Sequence, residues 1–217
     1  RKIVNRLNRL EQVVDFIGDV DDDTNAYLEA ILFEGRADTR LTKFHEWVED
    51  YLKKLNKAGF SVEDIGEYLY AKHAEERNKK VHEDDPKFKG TGSGMAREDT
   101  TLEDDTVVEG YESILKKYRG TGIHKFATQF YKKVVQGRLK VLYEGGLIDK
   151  KTYDLFKGKT IYKNYVPLKG TSENTKKFGT GGRGFSVSGK DIKRKRGRNS
   201  RADNPFVQAL VDFEMAI

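Results

Sequence analysis

The chain has no cysteine, only three prolines in 217 residues, and no apolar run approaching the roughly 18 to 20 residues that a membrane-spanning helix needs. Without cysteine there are no disulfides, thiolate zinc sites or cysteine nucleophiles, and a reducing compartment suits the composition. So few prolines beside 35% charged residues favour helices with solvent faces dense in Lys and Glu over a turn-rich sheet protein. Metal-ligand spacing is missing too. His45, His73, His82 and His124 form no H-E-x-x-H pair, and the run Asp19 to Asp23 lacks the central glycine and closing glutamate of a calcium loop, so neither metal nor cofactor is expected.

What is present is charge, unevenly placed. Residues 1–110 hold 17 Lys/Arg against 26 Asp/Glu, and residues 111–217 hold 24 against 9. A polyanion would be drawn to the second half and repelled by the first, so any nucleic-acid contact is one-sided. The densest basic run spans Lys190 to Arg201, with seven Lys/Arg in twelve residues. Its members Lys190, Lys193, Arg194, Lys195, Arg196, Arg198 and Arg201 are candidate phosphate contacts of the salt-sensitive, sequence-independent kind. Few aromatics interleave them, which argues against a base-stacking platform. The competing reading is a solvated segment that pairs with the acidic half or with an acidic neighbour.

Apolar periodicity predicts a mainly α protein. Ile3, Leu7, Leu10, Val14 and Ile17 mark a helix over 2–17, Ala26 to Phe33 a short one, and Leu41, Phe44, Val48, Tyr51, Leu52 and Leu55 a third over 39–57 with Trp47 beside the stripe. Ser61 caps a fourth helix whose stripe runs Val62, Ile65, Leu69 and His73. Residues 84–106 read as a polar linker with Pro86, Gly90, Gly92 and Gly94. Helical pattern returns at 107–118, 123–143 and 149–156, and Ile161 to Leu168 has strand-like content. Residues 169–202 are Gly, Ser, Lys and Arg rich, and Asn204-Pro205 opens a last helix. The expected organisation is therefore an acidic helical subdomain (1–83), the linker, a second helical subdomain (107–168), a basic loop (169–202) and a terminal helix (203–217). Both ends read as cut from a longer chain or trimmed by processing.

Motifs with chemistry are scarce. Gly179-Thr-Gly181-Gly-Arg-Gly184 has dinucleotide-loop spacing but no following helix, and Gly90 to Met95 lacks the Gly-Lys-Ser/Thr ending of a P-loop. His73, Glu76 and Arg77 sit at helical offsets 0, +3 and +4 and share one side of their helix. A packed polar cluster is the expected role. A catalytic His73/Glu76 pair in a cleft under the Gly92 loop is the enzymatic alternative, and head-to-tail docking of acidic on basic halves is a third reading.

Taken in order, Tyr70-Ala-Lys-His-Ala-Glu-Glu-Arg-Asn78, Gly92-Ser-Gly94-Met95, a helix pair, Tyr165-Val-Pro-Leu168 and a Gly/Arg-rich stretch resemble domains of bacteriophage large polyvalent proteins and of the internal, ejected virion proteins of short-tailed phages. The resemblance covers roughly residues 60–205. It implies a non-catalytic helical module carried in the virion interior and delivered to the host cell with the genome. Its partners would be other virion proteins, further copies of itself and double-stranded DNA. No catalytic residue carries across. Within the matched segment His73, Glu76, Arg77 and Asn78 are expected to form a polar helix exit that hydrogen-bonds the glycine loop and the 165–168 segment.

Overall fold

A computed structural model of the chain describes residues 26–157, 163–169 and 197–217, with side chains of 26–34 and 155–157 left aside. The fold is mainly α, with one two-stranded sheet among the described residues. The chain divides into two compact units, residues 1–51 with Ile217, and residues 52–216. The expected boundary at 84–106 is thus not where the units separate; that segment lies inside the second unit.

Helix α1, Ala26–Lys57, runs unbroken through Gly35, where the apolar periodicity predicts two separate helices. One glycine in a helix interior weakens it by only about 1 kcal/mol, and no proline or turn pair follows to stop it. Thr39 Oγ1 instead donates back to the Gly35 carbonyl at 2.7 Å. In its first-unit part Phe44 and Tyr51 are buried, and Trp47 is flanked by the Phe44 and Tyr51 rings at 6.5 and 5.1 Å. The expected helix over 2–17 lies outside the described residues.

The second unit is built on α2, Val62–Asp84. Ser61 and Asp64 form a reciprocal capping box: Asp64 N donates to Ser61 Oγ at 3.1 Å and Ser61 N donates to Asp64 Oδ2 at 2.8 Å. Strands β1 (Thr100–Thr101) and β2 (Val107–Val108) pair antiparallel, Thr100 with Val108 and Thr101 with Val107. Valines 107 and 108 are therefore strand, and α3 starts only at Tyr111, running to Lys117. The strand expected near 161–168 does not form in residues 163–169. Pro167 offers no N–H, and neighbouring backbone groups are served by side chains, as described below.

Helix α4, Ile123–Phe130, continues through a π segment, Tyr131–Val135, into α5, Gln136–Glu144. Ile123, Ala127, Phe130 and Val134 are buried at steps of four, three and four, but the next buried residue is Leu139, five further on. A π turn absorbs that extra residue and keeps one apolar seam on the core. Helix α6 (Lys150–Lys157) starts beyond Asp149, whose carboxylate accepts from Thr152 N at 2.7 Å. Helix α7 (Pro205–Glu214) has Asn204 as its cap and Pro205 in its first turn. α2 packs against α3, α4 and α7. Ile65, Leu69, Ile114, Ile123, Phe130, Val134, Val166 and Phe206 are all within 1% of full burial, and the Phe130 and Phe206 rings meet at 4.7 Å. Each such side chain contributes roughly 1.5 to 3 kcal/mol by leaving water.

Candidate functional site

The polar side chains that concentrate on α2 between Tyr70 and Asn78 meet three segments distant in sequence. Asn78 faces the glycine loop: its Nδ2 donates to the Met95 carbonyl at 2.8 Å, and its Oδ1 accepts from Ser93 N at 2.8 Å. Ser93 is fully buried, and its hydroxyl bridges Met95 N and O at 3.1 and 3.3 Å. Two turns back, Tyr70 OH donates to the Ser93 carbonyl at 2.9 Å and accepts from Ala202 N at 2.8 Å. Burial raises the Tyr70 pKa, so the phenol stays protonated and keeps both roles. The loop approaches residues 198–202 so closely that a Cβ on Gly94 would lie 1.9 Å from the Ser200 carbonyl oxygen, and Gly94 has φ of 87°. Only glycine satisfies both conditions.

Glu76 faces the other way. Its two carboxylate oxygens accept from Asn164 N at 3.0 Å and from Asn164 Nδ2 at 2.7 Å, which fastens segment 163–169 to α2. His73 is 2% exposed and meets the Tyr165 ring edge-on at 5.4 Å. Burial, with the Arg77 charge adding to it, brings the His73 imidazole down to about 3, so it is neutral at physiological pH. A base this weak, beside a carboxylate already occupied by an amide, has little proton-transfer capacity near neutral pH.

Arg198 ties the arrangement together. Nε donates to Ser200 O at 2.7 Å, Nη1 to the carbonyls of Leu168 and Lys169 at 3.2 and 3.1 Å, and Nη2 to Ser200 Oγ and Arg201 O at 3.1 and 3.0 Å. All five guanidinium donors have protein acceptors. Its own N–H donates to the Gly92 carbonyl at 3.0 Å, and Asp203 N donates to Lys169 O at 3.0 Å. Lys169 Nζ pairs with the buried Asp212, whose carbonyl accepts from Arg138 Nε at 3.2 Å. Lys169 and Arg198, which lie just outside the 170–196 segment on either side, are thereby held side by side.

Comparison with protein-family models, curated proteins and solved structures gave no match. The geometry alone distinguishes the sites. Of the seven basic residues expected to meet phosphate, Lys190, Lys193, Arg194, Lys195 and Arg196 lie outside the described residues. Arg198 is a clamp whose donors already point at protein carbonyls and the Ser200 hydroxyl, and Arg201 lies with its guanidinium 5.9 Å over the Tyr70 ring. Arg201 also lines an open groove of about 700 Å³ with Glu67, Asp99, Val107, Val108 and Glu109. Neither His73 nor Glu76 lines it. Within it Asp99 accepts from Gly110 N at 2.8 Å, and that bond, with the Ser113 hydroxyl, holds its carboxyl below the usual range. No group of His, Asp and Glu among the described residues has metal-site geometry, and no described helix is long and apolar enough to cross a membrane.

Sequence pattern alone does not mark Tyr70, Ser93, Asn164, Lys169 or Asp212 for these roles. Tyr70 and Ser93 lie within the recognised sequence order, but nothing in local spacing announces a partner 132 residues away, as in the bond from Ala202 N to Tyr70 OH.

Proposed function

We propose that this chain is a structural and assembly module rather than an enzyme, the helical scaffold of an internal bacteriophage virion protein, carrying a basic segment that contacts packaged DNA or an acidic partner. The phage assignment rests on the sequence resemblance. The non-catalytic assignment is supported by one observation above all: the Arg198 fork, the most elaborate polar arrangement in the described chain, has every donor directed at the protein's own oxygens. Glu76, the strongest candidate for acid/base work, is likewise occupied on both oxygens.

Charge arithmetic supports the basic segment's role. Residues 170–196 hold eight Lys/Arg and two Asp/Glu, a net of +6, which is the net charge of the whole chain; the remaining residues balance at zero. A charge excess confined to one segment gives a salt-sensitive, removable contact. The test has two arms. Protein analysis of purified particles, before and after genome ejection, is expected to find the chain in the virion and released with the DNA; its absence from particles overturns the assignment. Binding of duplex DNA by the full chain is expected to weaken steeply with salt and to fall when Arg194, Lys195 and Arg196 become alanine. Unchanged binding removes the segment's role.

A further inference from the structure

A second basic surface lies on described residues, far in sequence from the 190–201 run. Between Glu112 and Glu144 the chain has eight Lys/Arg and no acidic residue. Most of that stretch is the continuous helical rod formed by α4, the π segment and α5. Its apolar seam faces the core, so the opposite side carries the exposed residues Lys125, Gln129, Lys132, Lys133, Gln136 and Lys140. The π turn matters here as well. By absorbing one residue between Val134 and Leu139 it keeps Lys132, Gln136 and Lys140, at steps of four, on one line with the exposed side of α4. Lys125, Lys132 and Lys133 make no ion pair among the described residues, and Lys140 pairs only with Glu144, at 3.5 Å within its own helix.

We propose that this face is a docking surface for the phosphate backbone of double-stranded nucleic acid, acting beside the basic segment of residues 170–196; the inference rests on the reading that the module contacts nucleic acid. Three features select this partner over an acidic protein. First, the face carries amine and amide donors, the groups that meet phosphate and sugar oxygens, and no exposed carboxylate between Lys125 and Lys140. Second, lysine is depleted from protein–protein interfaces, which are enriched in aromatic residues, Met and Arg; between Lys125 and Lys140 no large apolar side chain is exposed. Third, the rod from Lys125 to Lys140 rises roughly 20 Å at about 1.5 Å per residue, the length of about six nucleotide steps at about 3.4 Å each. With no aromatic and no arginine fork on this face, contact is with the backbone and carries no base readout.

The full chain would be titrated into a fluorescently labelled duplex of about 30 base pairs across a salt series, in four forms: unsubstituted, Lys125→Gln/Lys132→Gln/Lys133→Gln, Arg194→Ala/Lys195→Ala/Arg196→Ala, and the combination. The lysine variant is expected to bind about tenfold more weakly at low salt and to flatten the plot of log affinity against log salt by about 2 to 3, near 0.9 per lost phosphate contact. Its thermal melt should not move, because all three side chains are exposed. An unchanged affinity and slope in the lysine variant overturns this surface while leaving the 170–196 segment in place. Loss of binding in the lysine variant alone, with the arginine variant unaffected, supports this surface and overturns the segment. Failure of the unsubstituted chain to bind overturns both. If the lysine substitutions weaken binding of labelled polyglutamate and leave the duplex unaffected, the partner is an acidic protein and the proposal is wrong.

Discussion

Arg198 is one residue doing the work of several loops' worth of backbone hydrogen bonding. Its fork joins the carbonyls of residues 168, 169 and 201, so a lysine there keeps the charge but loses the planar geometry. Arg198→Lys should lower unfolding free energy by about 2 to 3 kcal/mol, as read by urea denaturation, with little recovery relative to alanine. His73 gives a pH signature. The unfolded chain takes up a proton at this imidazole below about 6.5, whereas the folded chain does so only near 3. Stability is therefore full above 6.5 and declines as pH falls through that window. Between pH 7.5 and 5 the loss should be about 2 kcal/mol, and His73→Gln should remove this pH dependence in paired denaturation curves. Tyr131 is a contrasting case: its hydroxyl is buried with no hydrogen-bond partner among the described residues. Tyr131→Phe is expected to hold or raise the melting temperature, since a desolvated, unsatisfied group is removed.

The helices divide by what sets their ends. Chemistry local to the sequence fixes α2 and α7, with the Ser61/Asp64 box at one and Asn204-Pro205 at the other. Tyr118 OH then donates to Asp64 Oδ1 at 2.6 Å, so the α2 cap also anchors the end of α3. The rod of α4 and α5 is set by packing, because its π turn exists only to reconcile Val134 with Leu139. Deleting Gln136 would shorten that step to an ordinary α spacing. The deletion is expected to preserve the far-UV spectrum and cooperative unfolding, whereas an alanine inserted between Ile65 and Leu69 would rotate one of them off the core and shift the melt by several degrees or more.

At the scale of the molecule, the charge asymmetry resolves into a neutral body and two basic features, the 170–196 segment and the lysine face. Replacing residues 170–196 with a short Gly/Ser linker should leave the melting temperature within a few degrees, because Arg198, Asp203 and Lys169 join its borders independently of what lies between. The same chain, with its net charge brought to zero, should keep only the salt-dependent affinity for duplex DNA that the lysine face supplies, read in the same titration.

The sequence by itself determined the helical class, the Ser61 and Asn204 caps, the apolar seams through Ile65, Leu69, Ile123 and Phe130, and the location of the charge. These follow from periodicity and short-range hydrogen bonding, which act within a few residues. Only the tertiary structure decided that α1 passes through Gly35, that 84–106 is packed into a unit rather than linking two, and that 163–169 satisfies Glu76 and Arg198 instead of a sheet. It also decided that Arg198 is a clamp. Apart from the passage of α1 through Gly35, each of those outcomes depends on a partner dozens of residues away, and neither spacing nor propensity encodes which distant oxygen a guanidinium or an amide will meet.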